Sequence, residues 1–279
     1  VGFHPQDKWN VNRNFQLTYG MRFDIPLFFD TPTENAPFND WAYANGYDLK
    51  TNRKLASKLM VSPRLGFRWD IAGDKRYILR GGAGIFTGRI PFVWLSNNFT
   101  NTGVQMESYY VKNSKDVSLI LDPNRQSENA ENLKASGSQV INVFDKDFKF
   151  AQNFRLNLGF DFEALGINWT AEAIYSKTLN DVYYQNIAYK ESGKTLADET
   201  GLSMNGIEGH AFNNIYVLRN TSKGYTYNLS LKAEKHFNFG LDLMASYSFT
   251  KSKSVGSPTS SVAQSNWRNT HTYRQSNHP

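Results

Sequence analysis

From Phe15 to Ile25 every odd residue is apolar and every even residue is polar or glycine. A strand points successive side chains to opposite faces, so this segment has one greasy face and one wet face. Its length is about what a tilted strand needs to cross a bilayer. The same alternation returns six more times. Residues 61–71 set Leu65, Phe67, Trp69 and Ile71 against Arg64, Gly66, Arg68 and Asp70. Residues 77–86 set Tyr77, Leu79 and Ile85 against Arg80, Gly82 and Gly84. Residues 152–163 place Phe154, Leu156, Leu158, Phe160 and Phe162 opposite Arg155, Asn157, Gly159, Asp161 and Glu163. Residues 167–177 alternate likewise, with Ile174 breaking the wet face, and the strand is expected to run on to about Ile187. The long strand 214–236, alternating in its membrane part from Tyr225 to Glu234, and residues 241–252 complete the set, and residues 3–11 read as the end of one further strand.

The connections fall into two kinds. Asn12-Arg13-Asn14, Ala72-Gly73-Asp74-Lys75, Ala164-Leu165-Gly166 and Phe237-Asn238-Phe239-Gly240 are short turns. Residues 26–60, 87–149, 190–212 and 253–279 are long and polar. They are expected to be loops, with a short helix near 52–59 and a strand near 104–112. All short turns fall on one side of the sheet and all long connections on the other, as in outer-membrane barrels with short periplasmic turns and long extracellular loops. Trp9, Trp69 and Trp169 sit near the short turns, with Tyr77, Phe162, Phe237 and Phe239. Such rings favour the headgroup layer and form an interfacial girdle. A soluble β-sandwich could use the same aromatics as core, but it rarely gathers every long connection at one end.

Composition fits the same reading. No stretch approaches the roughly eighteen apolar residues of a membrane-spanning helix. A mean hydropathy of −0.55 does not exclude a membrane protein, because alternating strands never produce a long apolar run. Cysteine is absent, which removes disulfides and thiolate metal sites. The net charge of +6 comes from basic residues spread among acids, not from the clustered patch that nucleic-acid binding needs. His4, His210, His236, His271 and His278 have no partners at metal-ligand spacing, and no nucleophile elbow occurs. Neither enzymatic activity nor a metal nor any cofactor is expected. Asp145 and Asp147 read as solvated loop carboxylates. The glycine-rich run from Arg80 to Gly88 has the wrong spacing for a dinucleotide site. Its wet-face glycines either leave room inside a barrel or relieve strain in a curved sheet.

Two groups of segments carry a family resemblance. Val61-Ser62-Pro63-Arg64-Leu65-Gly66-Phe67-Arg68-Trp69-Asp70, paired with Leu79 to Arg89, resembles a signature strand pair of TonB-dependent receptors. Ile90-Pro91-Phe92-Val93-Trp94-Leu95-Ser96-Asn97, Asn101-Thr102-Gly103, Leu179 to Asn186 and Ser265-Asn266-Trp267-Arg268 resemble more narrowly the Oar-like group of Bacteroidetes. The resemblance implies a barrel of about 22 strands plugged by an N-terminal domain. It also implies energy from a TonB–ExbB–ExbD complex and a location in the outer membrane. The chain, residues 1–279, reads as an internal piece of such a barrel: all-β, antiparallel and transmembrane, with about eight or nine strands and long extracellular loops.

On that resemblance the partners are membrane lipid, the protein's own plug and an unidentified ligand. Candidate lumen contacts to plug or ligand are Arg22, Arg64, Arg68, Arg80, Gly82, Gly84, Arg155, Asp161, Glu172 and Lys232. Candidate ligand contacts in the loops are Trp41, Tyr43, Phe92, Trp94, Tyr109 and Tyr110. The implied role is ligand uptake. Two alternatives stay open: a surface adhesion or scaffold protein whose barrel only anchors its loops, and a general porin. A porin would not need so many inner-wall glycines.

Overall fold

The computed structural model describes residues 1–106, 108–109, 120–133, 137–195, 202–206, 212–256 and 259–268. In chain order the strands are β1 (Gly2–Phe3), β2 (Gln6–Asn10), β3 (Phe15–Asp24), β4 (Met60–Asp70), β5 (Tyr77–Thr87), β6 (Ser108–Tyr109) and β7 (Gly137–Phe144). They continue with β8 (Gln152–Ala164), β9 (Ile167–Asn186), β10 (Tyr189–Thr195), β11 (Leu202–Gly206), β12 (Phe212–Thr221), β13 (Gly224–His236) and β14 (Asp242–Ser254). The α-helices are α1 (Ala36–Ala44), α2 (Phe92–Thr100), α3 (Gln126–Leu133) and α4 (Ala263–Arg268). Among the described residues no helix is long and apolar enough to cross a membrane, which says nothing of strands.

The wall is one antiparallel sheet in the order β2, β3, β4, β5, β8, β9, β13, β14. β1 extends β2 along β3 in the same register, with Phe3 opposite Phe23 and Gln6 opposite Gly20. Pro5 interrupts the ladder because it has no N–H to give; its carbonyl still accepts from the Met21 amide at 3.0 Å. Register carries apolar residues onto apolar residues across the whole wall. One row runs Leu17, Phe67, Gly81, Leu158, Ala173, Leu229, Phe249. The next runs Phe15, Trp69, Leu79, Phe160, Ala171, Leu231, Tyr247. A slip of one residue in any strand would turn its apolar set to the other face, so register is strongly specified. At the turn end Tyr77, Phe162 and Trp169 line up, and Phe162 stacks on Trp169 at 6.3 Å. Tyr175 and Tyr227 stack at 5.1 Å toward the other end.

Three of the four short turns have a local cause in the side chains or backbone that form them. The Asn12 side chain accepts from the amides of Asn14 and Phe15, both at 2.8 Å. Asp70 does the same for Gly73 and Lys75, which explains a nearly buried carboxylate at a strand end. Leu165 and Gly166 both have positive φ, 57° and 66°, as a two-residue turn matched to the twist of its strands requires.

Above the wall, β9 changes partner. Its lower part, Asn168 to Lys177, pairs with β13, and its upper part, Asp181 to Asn186, pairs with β12. A register shift separates Gln152↔Asn180 from Asn153↔Thr178, so one extra residue of β9 is inserted there. The insertion moves the parity by one. Below it odd residues such as Ala173 and Tyr175 belong to the apolar rows; above it the even residues Val182 and Tyr184 enter a buried core.

β12 also pairs in parallel with β7. Parallel strands are found with both faces covered, and these are. On one face Val182, Tyr184, Tyr216, Leu218 and Phe144 pack under Trp94, Leu95, Ala263 and Trp267 from α2 and α4. On the other, Ile141, Val143, Ile215 and Val217 pack under Phe38 and Ala42 of α1. The long connections on this side therefore build a folded module. Expectations of loop at 87–149 and 190–212 are corrected accordingly. The first holds α2, α3 and β7, and the second holds the hairpin β10–β11. In 253–279, β14 continues to Ser254 and α4 follows. The helix expected near 52–59 lies instead at Ala36–Ala44, where Asn35 accepts from the Phe38 amide and a proline stands in the first turn. Of the strand expected near 104–112, Ser108–Tyr109 forms β6, residues 104–106 are not strand, and the rest lies outside the described residues.

Candidate functional site: the wet face and the cleft at its loop end

Alternation puts every lumen candidate on one face. Arg80 lies opposite Arg68 on β4 and Gly159 on β8. Like charges face each other there, and Arg80 is held by carboxylates: it donates to Asp161 at 3.1 Å and to Glu172. A Cβ on Gly159 would stand 3.0 Å from the Arg80 guanidinium carbon, so the glycine makes room for that pair of bonds. Lys232 pairs with Glu234 at 3.1 Å. Arg68 and Arg155 are exposed on the same face and make no ion pair among the described residues.

Gly82 and Gly84 answer a different need. A Cβ on Gly82 would lie 2.8 Å from the Leu65 carbonyl oxygen, and one on Gly84 3.0 Å from that of Pro63. Both contacts are with neighbouring backbone, so of the two readings of these glycines, close approach in a curved sheet is the one with a steric cause.

The loop end of this face opens into a cleft of about 640 Å³. Arg22 and Arg64, from β3 and β4, enter it beside Arg89 and Phe92, from the segment after β5. Phe28 and Phe150 complete an aromatic side and meet edge to face at 6.1 Å. Arg22 is neutralised by a two-bond fork to Asp24, both bonds 2.7 Å. Arg64 lies over the Phe86 ring, 4.7 Å from its centroid, and its Nε is buried without a hydrogen-bond partner among the described residues. Arg89 is exposed and makes no ion pair among those residues. Sequence reasoning selected Arg22, Arg64 and Phe92 here. It missed Arg89, Phe28 and Phe150 because they stand beyond strand ends, where alternation gives no signal.

The remaining loop candidates separate. Tyr43 is 87% exposed. Trp41 stacks on Tyr47 at 5.8 Å and packs on Phe212, against the second core. Trp94 is buried: its indole donates to the Ser260 carbonyl at 2.9 Å and its ring meets Tyr184 edge-on. Tyr109 closes β6, but its side chain, like all of Tyr110, lies outside the described residues.

The segments that carry the narrower resemblance converge on the module. Asn97 donates to the Ser261 carbonyl at 2.7 Å, and Trp267 packs in the same core as Trp94 and Tyr184. Burial pushes the Tyr184 phenol above its ordinary range, among Asn97 and Asn266. Asn35, from the first connection, donates to the Thr102 carbonyl at 2.8 Å, just before Gly103, whose φ is +76°.

Comparison with solved structures returns receptors and transporters. The siderophore receptor PirA from Acinetobacter baumannii is 12% identical with a TM-score of 0.42, over 85% of this chain and 25% of that one. PirA from Pseudomonas aeruginosa is 11% identical with a TM-score of 0.44, over 90% and 34%. The FrpB iron transporter from Neisseria meningitidis is 11% identical with a TM-score of 0.48, over 90% and 26%. The chain thus spans between a quarter and about a third of their lengths. No curated protein matches it by sequence. One family model, that of the outer membrane beta barrel domain, matches residues 1–278. The chain belongs to the outer membrane beta barrel domain family, and its alternating wall lies in the bacterial outer membrane.

Proposed function

We propose that this chain is part of the wall of a TonB-dependent receptor of the Oar-like group, which takes up a ligand across the outer membrane. Plug and TonB–ExbB–ExbD contacts then belong to other parts of the parent protein. The observation that carries this reading is the cleft. It joins wet-face arginines of the wall to aromatic residues of the connecting segments, where a ligand entering from outside would first meet the lumen. Arg68 and Arg155, without ion pairs among the described residues, are proposed to meet plug or ligand lower down. Binding of the intact parent protein to the periplasmic domain of TonB tests the reading. A specific complex is expected, and a parent protein that forms none contradicts it.

The folded module favours one second reading, a surface adhesion or scaffold role. Two buried cores above the wall make a rigid surface that could hold a partner without transport. A parent protein without TonB binding, whose host loses surface attachment on its deletion, would be that protein.

A further inference from the structure

The cleft at the loop end of β3, β4 and β5 carries an excess of positive charge that its own residues do not neutralise. Three arginines line it against one carboxylate, Asp24, which is already taken by Arg22. Arg64 and Arg89 therefore have no anion of their own among the described residues. The Phe86 ring, 4.7 Å from the Arg64 guanidinium, holds that side chain at the cleft by a cation–π contact. α2 starts at the rim with Phe92, and no side chain caps its first turn. The partial positive charge of a helix N-terminus thus adds to the arginines. Phe28, Phe92 and Phe150 line the same cleft, and Phe92 is 64% exposed. The volume falls within the range of small-ligand sites.

We propose that this cleft binds an organic carboxylate with an aromatic or otherwise flat apolar body, its carboxylate on Arg64 and Arg89 and its body on the phenylalanines. A planar guanidinium matches a carboxylate through two parallel N–H donors, and it is less strongly hydrated than an ammonium. A neutral flat molecule would leave both arginines without an anion. A bare inorganic anion would leave the rings wet. This proposal rests on the uptake reading and names the chemistry of its ligand.

The test uses the intact parent protein in detergent and naphthoate as the probe. Naphthyl methanol serves as the neutral counterpart and inorganic phosphate as the competitor. Saturation-transfer NMR reads binding to the wild type, to Arg64→Gln/Arg89→Gln and to Arg13→Gln, which lies in a short turn at the other end of the wall. Persistence of the folded band on unheated gels confirms an intact barrel. Naphthoate is expected to bind wild type and Arg13→Gln alike, and the double variant at least about tenfold more weakly. Naphthyl methanol is expected to bind weakly and equally to all three. Equal naphthoate binding to wild type and double variant overturns the proposal, and so does no binding to wild type. Displacement by phosphate at comparable concentration overturns the aromatic half, because it makes the site one for any anion. TonB binding by the parent is scored separately. Its loss with naphthoate binding intact refutes uptake and leaves the cleft, while its presence with naphthoate binding unaffected by the substitutions refutes the cleft alone.

Discussion

The wall and the module above it share the continuous strand β9, yet their sequences obey different rules. In the wall, Leu158 and Asn157 are neighbours with opposite surroundings, one on the apolar row and one on the wet face. In the module, Ile215, Tyr216, Val217 and Leu218 are all buried, because helices and loop segments cover both faces of β12. The wall exchanges one face with lipid and needs a period of two. The module excludes solvent on both sides and needs continuous apolar runs. The inserted residue near Leu179 lies where one regime passes into the other.

The strongest way to break this contrast is Ile215→Asp. Ile215 is fully buried on the middle strand of the module, and an ionised carboxylate there costs roughly 4 kcal/mol or more. Protease added to intact cells should then cut within the module while the wall stays folded on unheated gels. Simultaneous loss of both would show that the two regions fold as one unit.

A charge in the wall should act by face. Leu158→Arg is expected to cost about 2–4 kcal/mol if the position is near mid-bilayer, and Asn157→Arg much less. Urea unfolding in lipid vesicles measures both, and equal costs would remove the distinction between faces. Gly103→Ala sharpens the module side. Its Cβ would stand 2.5 Å from the Ile141 Cδ1 and 2.8 Å from the Asn35 Nδ2, at a positive φ. A loss of about 2–3 kcal/mol is expected, read as faster proteolysis of the module with wall stability unchanged. The smallest effect is a gain. Leu165 is 90% exposed with φ +57°, so Leu165→Asn should stabilise the wall by about 0.5–1 kcal/mol. No gain in the unfolding midpoint would mean that the turn relaxes without strain.

The same contrast explains what could be read from the sequence. Phe15 to Ile25 and Gln152 to Glu163 announce strand and face together, because lipid on one side and polar groups on the other impose strict alternation. The short turns give four of the wall's strand pairs, β2–β3, β4–β5, β8–β9 and β13–β14. β7 could not be read this way: Val140, Ile141, Val143 and Phe144 show no alternation, and its partner β12 lies far away in the chain. α1 is hard to place because its apolar periodicity is weak, and only Asn35 and Pro37 mark its start. At the candidate site, strand parity revealed Arg22 and Arg64. Arg89 and Phe150 are brought there by the path of irregular segments, which no local period encodes.

The central claim is that the odd and even faces of the wall meet different media. The native chain has no cysteine, so single cysteines can be placed at each position from 154 to 162 and spin-labelled in the barrel reconstituted in lipid. Accessibility to oxygen, which concentrates in hydrocarbon, should rise at 154, 156, 158, 160 and 162 and fall at the positions between. Accessibility to a polar nickel chelate should show no matching rise at the even positions. Equal oxygen accessibility at 157 and 158, or the opposite parity, would contradict a lipid-facing row and with it the account of the wall.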